Sequence, residues 1–151
     1  MNSTLFHRST ALLMLFLFSG CTGNLEDYPD SSSVFHATFG SSPPKSVTNL
    51  QASGRAFRDS STCYLRFNAS YGTVQTLIGS SFSEITPTAF ATNTSNAGIS
   101  GPTPGWWKPA PNPTTKFYTS SAFHPSFFSG TAYLTYDSAN QLAHFYWDGI
   151  D

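Results

Sequence analysis

The sequence predicts an α+β domain: a small antiparallel β-sheet with a C-terminal hairpin and one short α-helix packed on one face. Three observations indicate this fold class. Residues 62–68 alternate between two sets of side chains, residues 70–79 have helical spacing, and residues 130–147 contain two alternating segments joined by a short turn. A chain of 151 residues without an internal repeat favours one such domain, which we expect to span residues 46–151.

Two strands are predicted at the start of this domain. Residues 46–52 show partial alternation with β-branched side chains, and residues 62–68 alternate clearly. Cys63, Leu65 and Phe67 fall on the same side of the second strand, because successive side chains of a strand point to opposite faces. We therefore expect these three side chains to face the core.

The one predicted helix follows the second strand. Its apolar residues recur at helical spacing, and they are Tyr71, Val74, Leu77 and Ile78. Ser70 is placed to cap the N-terminus of this helix and Gly79 to end it. A helix of about ten residues is too short to be stable alone, so we expect it to pack on the sheet.

A Pro/Gly-rich loop is predicted at about residues 86–115. This segment holds six of the ten prolines, three glycines and one charged residue, Lys108. Structureless loops of this length inside a compact domain are usually functional or disordered. Trp106 and Trp107 lie near its centre, and we expect at least one of them to pack back onto the domain, since a loop without such an anchor is costly to order.

A β-hairpin is predicted near the C-terminus. Its arms are residues 130–136 and 141–147, and the four residues 137–140 connect them. Asn140 is the connecting residue that best tolerates a left-handed backbone conformation. The sequence therefore predicts a hairpin with a four-residue loop that ends at Asn140.

This loop also sets the expected register of the hairpin. The expected cross-strand pairs are Tyr136 with Gln141, Leu134 with Ala143, and Ala132 with Phe145. The opposite face carries Tyr133, Leu142, His144 and Tyr146. Both faces are apolar enough to be covered, so we expect this hairpin at the centre of the sheet.

The N-terminal segment has the layout of a secretory signal. Residues 1–8 carry one positive charge and no acid, residues 11–18 form an unbroken apolar run, and Ser19-Gly20-Cys21 follows. This run is too short to cross about 30 Å of hydrocarbon as a helix, which takes about 20 residues. We therefore expect residues 1–20 to be a signal peptide rather than a membrane-spanning segment.

The segment Phe18-Ser19-Gly20-Cys21 resembles the lipobox of bacterial lipoproteins, although leucine is commoner than phenylalanine at its first position. The resemblance implies that Cys21 is acylated and becomes the first mature residue. One acyl chain anchors a protein only marginally, whereas the triacyl anchor of this class holds stably. Thr22 stands where an aspartate would favour inner-membrane retention, so the resemblance implies the outer membrane, with the domain facing the periplasm.

An ordinary cleavable signal is the alternative interpretation. Cys21 and Cys63 would then form one disulfide in a secreted protein. If Cys21 is lipidated instead, Cys63 has no partner cysteine within the chain, and we expect it to be a buried thiol.

A flexible tether is predicted at residues 21–45, between the anchor and the domain. Ser, Gly, Pro, Asp and Asn dominate residues 22–45, which offer too little apolar area to offset the entropy lost on ordering. Phe35, His36 and Phe39 interrupt this composition. They either add a short strand to the edge of the domain or dock weakly on its surface.

Composition and spacing disfavour several classes of function. A formal net charge of −1 gives no basic excess for nucleic acid. His36, His124 and His144 lie far apart, with no cysteine or acid beside them at ligand spacing, so neither a metal nor a cofactor is predicted. No serine nucleophile motif is present, and Cys63 lies on an inward strand face. We therefore expect no enzymatic activity; an envelope hydrolase built from dispersed Asp and His residues is a third hypothesis.

The aromatic residues are the one candidate for function outside the signal. Trp106 and Trp107 form the candidate ligand-binding site, because exposed rings stack on sugars or receive a protein partner. The alternative is that Phe, Tyr and Trp build the core of a domain poor in Leu, Ile and Val. The sequence thus predicts a membrane-anchored lipoprotein with a structural or interaction role at the cell envelope, whose partner is an envelope protein or a glycan. A carbohydrate- or peptidoglycan-binding module is the alternative.

Overall fold

The computed structural model describes residues 26–27, 30–57, 60–95, 102–125 and 129–150. Within these ranges the chain forms seven strands and three helices. In chain order they are β1 (Glu26–Asp27), α1 (Ser31–Phe39), β2 (Thr48–Phe57), β3 (Ser60–Asn68), α2 (Tyr71–Ile78), β4 (Ser83–Ile85), α3 (Pro87–Ser95), β5 (Thr115–Ser120), β6 (Ser129–Asp137) and β7 (Leu142–Ile150).

The seven strands form one antiparallel sheet. Their order is β1-β2-β3-β7-β6-β5-β4, and every neighbouring pair runs antiparallel. The two arms of the predicted hairpin, β6 and β7, are neighbours, and β7 lies in the middle of the order. The predicted antiparallel sheet and the central position of its C-terminal hairpin are therefore confirmed.

Both faces of the sheet are covered. One face, which we call the helical face, packs against α1 and α2, and its buried side chains include Leu65, Leu134 and Phe145. The other, which we call the tyrosine face, packs against α3 and the segment 102–112, and its buried side chains include Tyr64, Tyr133 and Tyr146. The apolar character of both hairpin faces in the sequence is explained by this double coverage.

Strand β3 presents its side chains as the sequence predicts. Cys63, Leu65 and Phe67 are all buried on the helical face. Their neighbours Tyr64 and Arg66 point to the tyrosine face, where Tyr64 is also buried. The period-two pattern therefore identified the correct inward face of this strand.

Helix α2 begins and ends at the predicted residues. Ser70 Oγ accepts a hydrogen bond from the backbone N–H of Thr73 at 3.2 Å, which caps the helix. Gly79 follows the last turn with a φ of 64°, a conformation that favours glycine. Val74 and Ile78 are buried in the core of the helical face. The helix therefore packs on the sheet, as its short length requires.

Helix α1 corrects the predicted tether, because residues 31–39 are ordered and packed. Asp30 accepts the backbone N–H of Ser33 at 2.8 Å and caps the helix, whose buried residues include Val34 and Phe35. Ser31 Oγ accepts the N–H of Ala52 at 3.1 Å, so the helix also covers part of strand β2. The mostly polar composition of residues 22–45 did not show that the nine residues of α1 bury enough apolar surface to be ordered. The described part of the domain thus starts before residue 46.

Helix α3 corrects the prediction that residues 86–115 lack secondary structure. Thr86 Oγ1 accepts the N–H of Ala89 at 3.1 Å, and Pro87 takes the first helical position, where its missing N–H is not needed. Phe90 is buried on the tyrosine face. The described chain therefore has three helices on two faces, rather than the one helix on one face that the sequence predicts.

The register of the hairpin differs from the predicted one. Leu134 pairs with Phe145 instead of Ala143, and the connecting residues are 138–141. The Asp137 carboxylate explains the shift: it accepts hydrogen bonds from Thr114 Oγ1 and from the side chain of Asn140, which extends β6 to Asp137. The slip spans two residues of β7, so every side chain keeps its predicted face.

The loop also ends one residue later than predicted. Gln141, not Asn140, takes the left-handed conformation, with a φ of 48°. The side-chain hydrogen bonds from Thr114, Asn140 and Asn112 hold the pKa of Asp137 at about 2. This carboxylate is therefore charged at neutral pH.

Glycine is required at positions 130 and 149, where strands β6 and β7 pair beside the indole ring of Trp147. Gly130 pairs with Gly149 across the two strands. A Cβ on Gly149 would lie 2.5 Å from Cζ2 of Trp147 and 2.8 Å from the carbonyl oxygen of Ser129. The bare backbone therefore lets the Trp147 side chain, which is buried, lie over both strands.

Candidate functional site

The two tryptophans of the predicted ligand-binding site pack in or against the core of the tyrosine face. Trp107 is 8% exposed, and its Nε1 donates a hydrogen bond to the carbonyl oxygen of Phe145 at 3.1 Å. Its ring lies 5.3 Å from that of Tyr64, and Trp106 is half-buried against the same cluster. The prediction that at least one tryptophan packs back onto the domain is confirmed, and the covered Trp107 ring gives no support to the predicted ligand-binding role.

A row of stacked tyrosines lies beneath Trp107. The Tyr146 ring lies 4.7 Å from that of Tyr64 and 5.7 Å from that of Tyr133, and both pairs are stacked. Burial, with a further contribution from the Asp148 carboxylate, raises the pKa of Tyr146 above its usual range. The Tyr146 phenol therefore stays neutral at physiological pH, and the three rings form a stacked aromatic layer.

His144 is a buried strand residue next to this layer. It is 6% exposed, and its Nδ1 lies 3.5 Å from Thr135 Oγ1. Burial lowers the pKa of His144 to about 4, and the positive charge of Arg66 lowers it further in the same direction. The imidazole is therefore neutral at pH 7, and it is a structural strand residue within hydrogen-bond distance of a neighbour.

The buried imidazole predicts a dependence of stability on pH. Its folded-state pKa lies below the value of 6.5 for an exposed histidine, so the unfolded chain binds the proton more readily. As pH falls from 6.5 towards 4, the free energy of unfolding should fall by roughly 1–3 kcal/mol through this group. Urea titrations at pH 7, 6 and 5 measure the slope, and His144→Gln should flatten it.

The pH range of this effect distinguishes the contribution of His144 to stability from the contributions of the carboxylates. Asp137, whose pKa is about 2, loses its stabilising contribution only as pH falls below the usual carboxylate value of 3.8. An equal slope between pH 7 and 5 in the native protein and in His144→Gln would contradict the assignment to His144.

The remaining chemically reactive groups also have structural partners. Cys63 Sγ lies 3.4 Å from Thr38 Oγ1, and burial raises the pKa of the thiol to about 12, so the thiolate that nucleophilic chemistry needs is not formed. Asp148 accepts a hydrogen bond from Thr62 Oγ1 at 2.9 Å. Within the described ranges, no group of three His, Cys, Asp or Glu side chains could hold a metal ion.

A cleft on the helical face, which we call the Tyr71 cleft, presents an exposed aromatic ring. It has a volume of about 560 Å³ and is lined by Tyr71, Pro113, Thr114, Lys116, Tyr136, Ser138 and Gln141. Tyr71 is 41% exposed, and its ring rests 5.2 Å from the buried ring of Tyr136. This volume falls within the range of about 300–1,000 Å³ that is typical of small-molecule sites.

Hydrogen bonds hold the walls of the Tyr71 cleft in place. Tyr136 Oη donates to the carbonyl oxygen of Ala69 at 3.2 Å, and the N–H of Ala69 donates to the carbonyl oxygen of Gln141 at 2.9 Å. The N–H of Ser138 donates to the carbonyl oxygen of Thr114 at 3.1 Å, which joins the hairpin turn to the segment before β5. Three separate segments of the chain are thereby fixed around one cavity.

Polar groups surround the exposed ring. Tyr71 Oη lies 3.4 Å from Tyr118 Oη, and Lys116 Nζ lies 3.0 Å from Glu84 Oε2 in an exposed ion pair. Gln141 lines the cleft, and its side-chain amide makes no hydrogen bond within the part of the chain that the structure describes. The cleft therefore combines an aromatic face with an amide, an ammonium group and hydroxyls.

Helical spacing predicts that Tyr71 lies on the buried side of α2, and the cleft was therefore missed. Val74 and Ile78 are buried, whereas Tyr71, in the first turn, contacts Tyr136 and Tyr118 and remains 41% exposed. A tyrosine at the start of a helix whose other apolar residues are aliphatic was the available signal, since its hydroxyl favours a position near water.

No helix among the described residues is long and apolar enough to span a membrane. Comparison of the chain with family models, with curated proteins and with solved structures finds no match.

Proposed function

We propose that the protein is a lipid-anchored component of the bacterial cell envelope whose domain has an interaction role. The observation that carries the proposal is the apolar run at residues 11–18, followed by Ser19-Gly20-Cys21, which resembles a lipobox. Acylation of Cys21 would fix the chain to the membrane, and Thr22 favours the outer membrane, facing the periplasm. These N-terminal residues lie outside the described ranges.

The anchor would hold the domain close to the bilayer. Strand β1 begins at Glu26, five residues after Cys21, and a fully extended chain of that length spans at most about 18 Å. The proposed tether is therefore much shorter than the 25 residues that composition suggests. The edge of the sheet formed by β1 and β2 would lie nearest the membrane.

Metabolic labelling tests the anchor directly. In bacteria fed a clickable fatty acid, the native protein should carry the label and Cys21→Ser should carry none. Cys63→Ser is the matched control and should keep the label, because Cys63 is buried. Label that persists in Cys21→Ser, or a native protein without label, would overturn the proposed anchor. Separation of the two membranes on a sucrose gradient then tests the outer-membrane placement, and protein released into the medium would support the secreted alternative.

Carbohydrate binding is the second candidate function. The buried Trp107 ring does not support it, so the support comes from another surface, the Tyr71 cleft on the helical face. An exposed ring inside a cleft with an amide and hydroxyls is suited to a small polar ligand that also has an apolar side.

A further inference from the structure

The Tyr71 ring is exposed although its surroundings are ordered. The ring contacts that of Tyr136 at 5.2 Å with a tilt of 42°, the Tyr136 hydroxyl donates to the carbonyl oxygen of Ala69, and the Tyr71 hydroxyl lies 3.4 Å from that of Tyr118. Such contacts fix the ring before any ligand arrives, so that little side-chain entropy remains to be lost on binding. An ordered ring that is 41% exposed can receive a flat apolar surface of a ligand.

Gln141 contributes an amide from a strained backbone. It is one of two non-glycine residues with positive φ among the described residues, and the other is Asn49, a residue type that tolerates this conformation. A left-handed conformation costs other residue types about 1–2 kcal/mol. The neighbouring Asn140 would adopt it more readily, yet the conformation falls on Gln141, a residue that lines the cleft. Strain of this kind concentrates at functional sites.

We infer that the Tyr71 cleft binds a pyranose sugar, a proposal that rests on the carbohydrate-binding candidate above. A pyranose ring has a face of C–H bonds and a rim of hydroxyls that both donate and accept hydrogen bonds. The C–H face would lie on the exposed side of Tyr71. The Gln141 amide, which offers one acceptor and two donors, would bind two neighbouring hydroxyls, and Lys116 Nζ would donate to a third.

The charges of the cleft favour a sugar without a strong negative charge. Lys116 already pairs with Glu84, and the side chains of both residues are more than half exposed. An exposed pair of this kind contributes little net attraction for an anion, because each charge is screened by water and by the other. Aromatic stacking and neutral hydrogen bonds would therefore supply most of the affinity.

Ligand-observed NMR on the purified full-length protein tests this inference, with chitotriose and cellotriose as probes. The protein is kept in a detergent without a sugar headgroup, so that the detergent does not compete with the probes. Saturation transfer to the C–H protons of a sugar ring is expected for the native protein. Tyr71→Ala should weaken binding at least about tenfold, whereas Tyr71→Phe, which keeps the ring, should stay within about threefold. Trp106→Ala, on the opposite face, is the matched control and should bind as the native protein does.

A second variant separates the function of Gln141 from its structural effect. Gln141→Gly removes the amide and suits a positive φ, so it should weaken binding at least about fivefold without lowering the melting temperature. Absence of binding of both probes at about 10 mM, or equal binding by native protein and Tyr71→Ala, would overturn the inference. Fatty-acid labelling of Cys21 is an independent measurement, so failure of the anchor and failure of the sugar site are distinguishable.

Discussion

Replacing Phe145 with alanine is expected to lower the free energy of unfolding by about 3–5 kcal/mol. Phe145 is 0% exposed on the central strand β7. Its ring lies 5.2 Å from that of Phe39, 5.5 Å from that of Phe123 and 6.4 Å from that of Phe82. The substitution would leave a cavity where three distant segments meet on the helical face.

Urea denaturation measures this effect as a lower transition midpoint at a constant m-value. Ile150→Ala is the matched control, because Ile150 is half exposed at the end of the same strand, and it should change stability by less than about 0.5 kcal/mol. A loss of under about 1 kcal/mol for Phe145→Ala would show that this ring is not at the centre of the core.

The second large effect is expected for Trp107→Ala, again about 3–5 kcal/mol of unfolding free energy. The substitution removes the ring that covers the stacked tyrosines and the hydrogen bond from Nε1 to Phe145. It also frees the segment 102–112 from the tyrosine face. Trp107→Phe keeps a ring without the N–H, so its loss should be smaller.

Thermal and urea unfolding, followed by circular dichroism, check this prediction. Trp106→Ala is the control, since Trp106 is only half-buried, and it should cost less than Trp107→Ala. If the two alanine variants lost equal stability, the two rings would have equal roles, and the assignment of Trp107 as the anchor of this segment would be wrong.

Elements with a local signature were predictable from the sequence. The alternation of Cys63, Leu65 and Phe67 identified the inward face of β3, and Ser70 and Gly79 marked both ends of α2. Period-two patterns and caps depend on neighbouring residues only, so they can be read without tertiary information.

Elements that depend on distant partners were not predictable in the same way. Helix α1 lies in a segment of mostly polar composition and is ordered because Phe35 packs on Phe67, far along the chain. The hairpin register depends on Thr114, which hydrogen-bonds Asp137 from outside the hairpin. A local pattern cannot contain either contact.

The Tyr71 cleft was unpredictable for the same reason. Its walls come from the start of α2, the segment before β5 and the hairpin turn, with Tyr71, Thr114 and Gln141 as examples. Trp106 and Trp107 are neighbours in sequence, yet Trp107 is buried. Proximity in sequence is a poor guide to a cavity that distant segments enclose.

The two margins of the sheet have a consequence for behaviour at high local density. At one margin the N–H of Ala52 donates a hydrogen bond to Ser31 Oγ, and β1 pairs with part of β2. At the other margin β4 is three residues long and is soon followed by Pro87. Short, capped and proline-flanked margins discourage a strand of another copy from adding on. Copies of the protein at high local concentration are therefore expected to resist joining into fibrils.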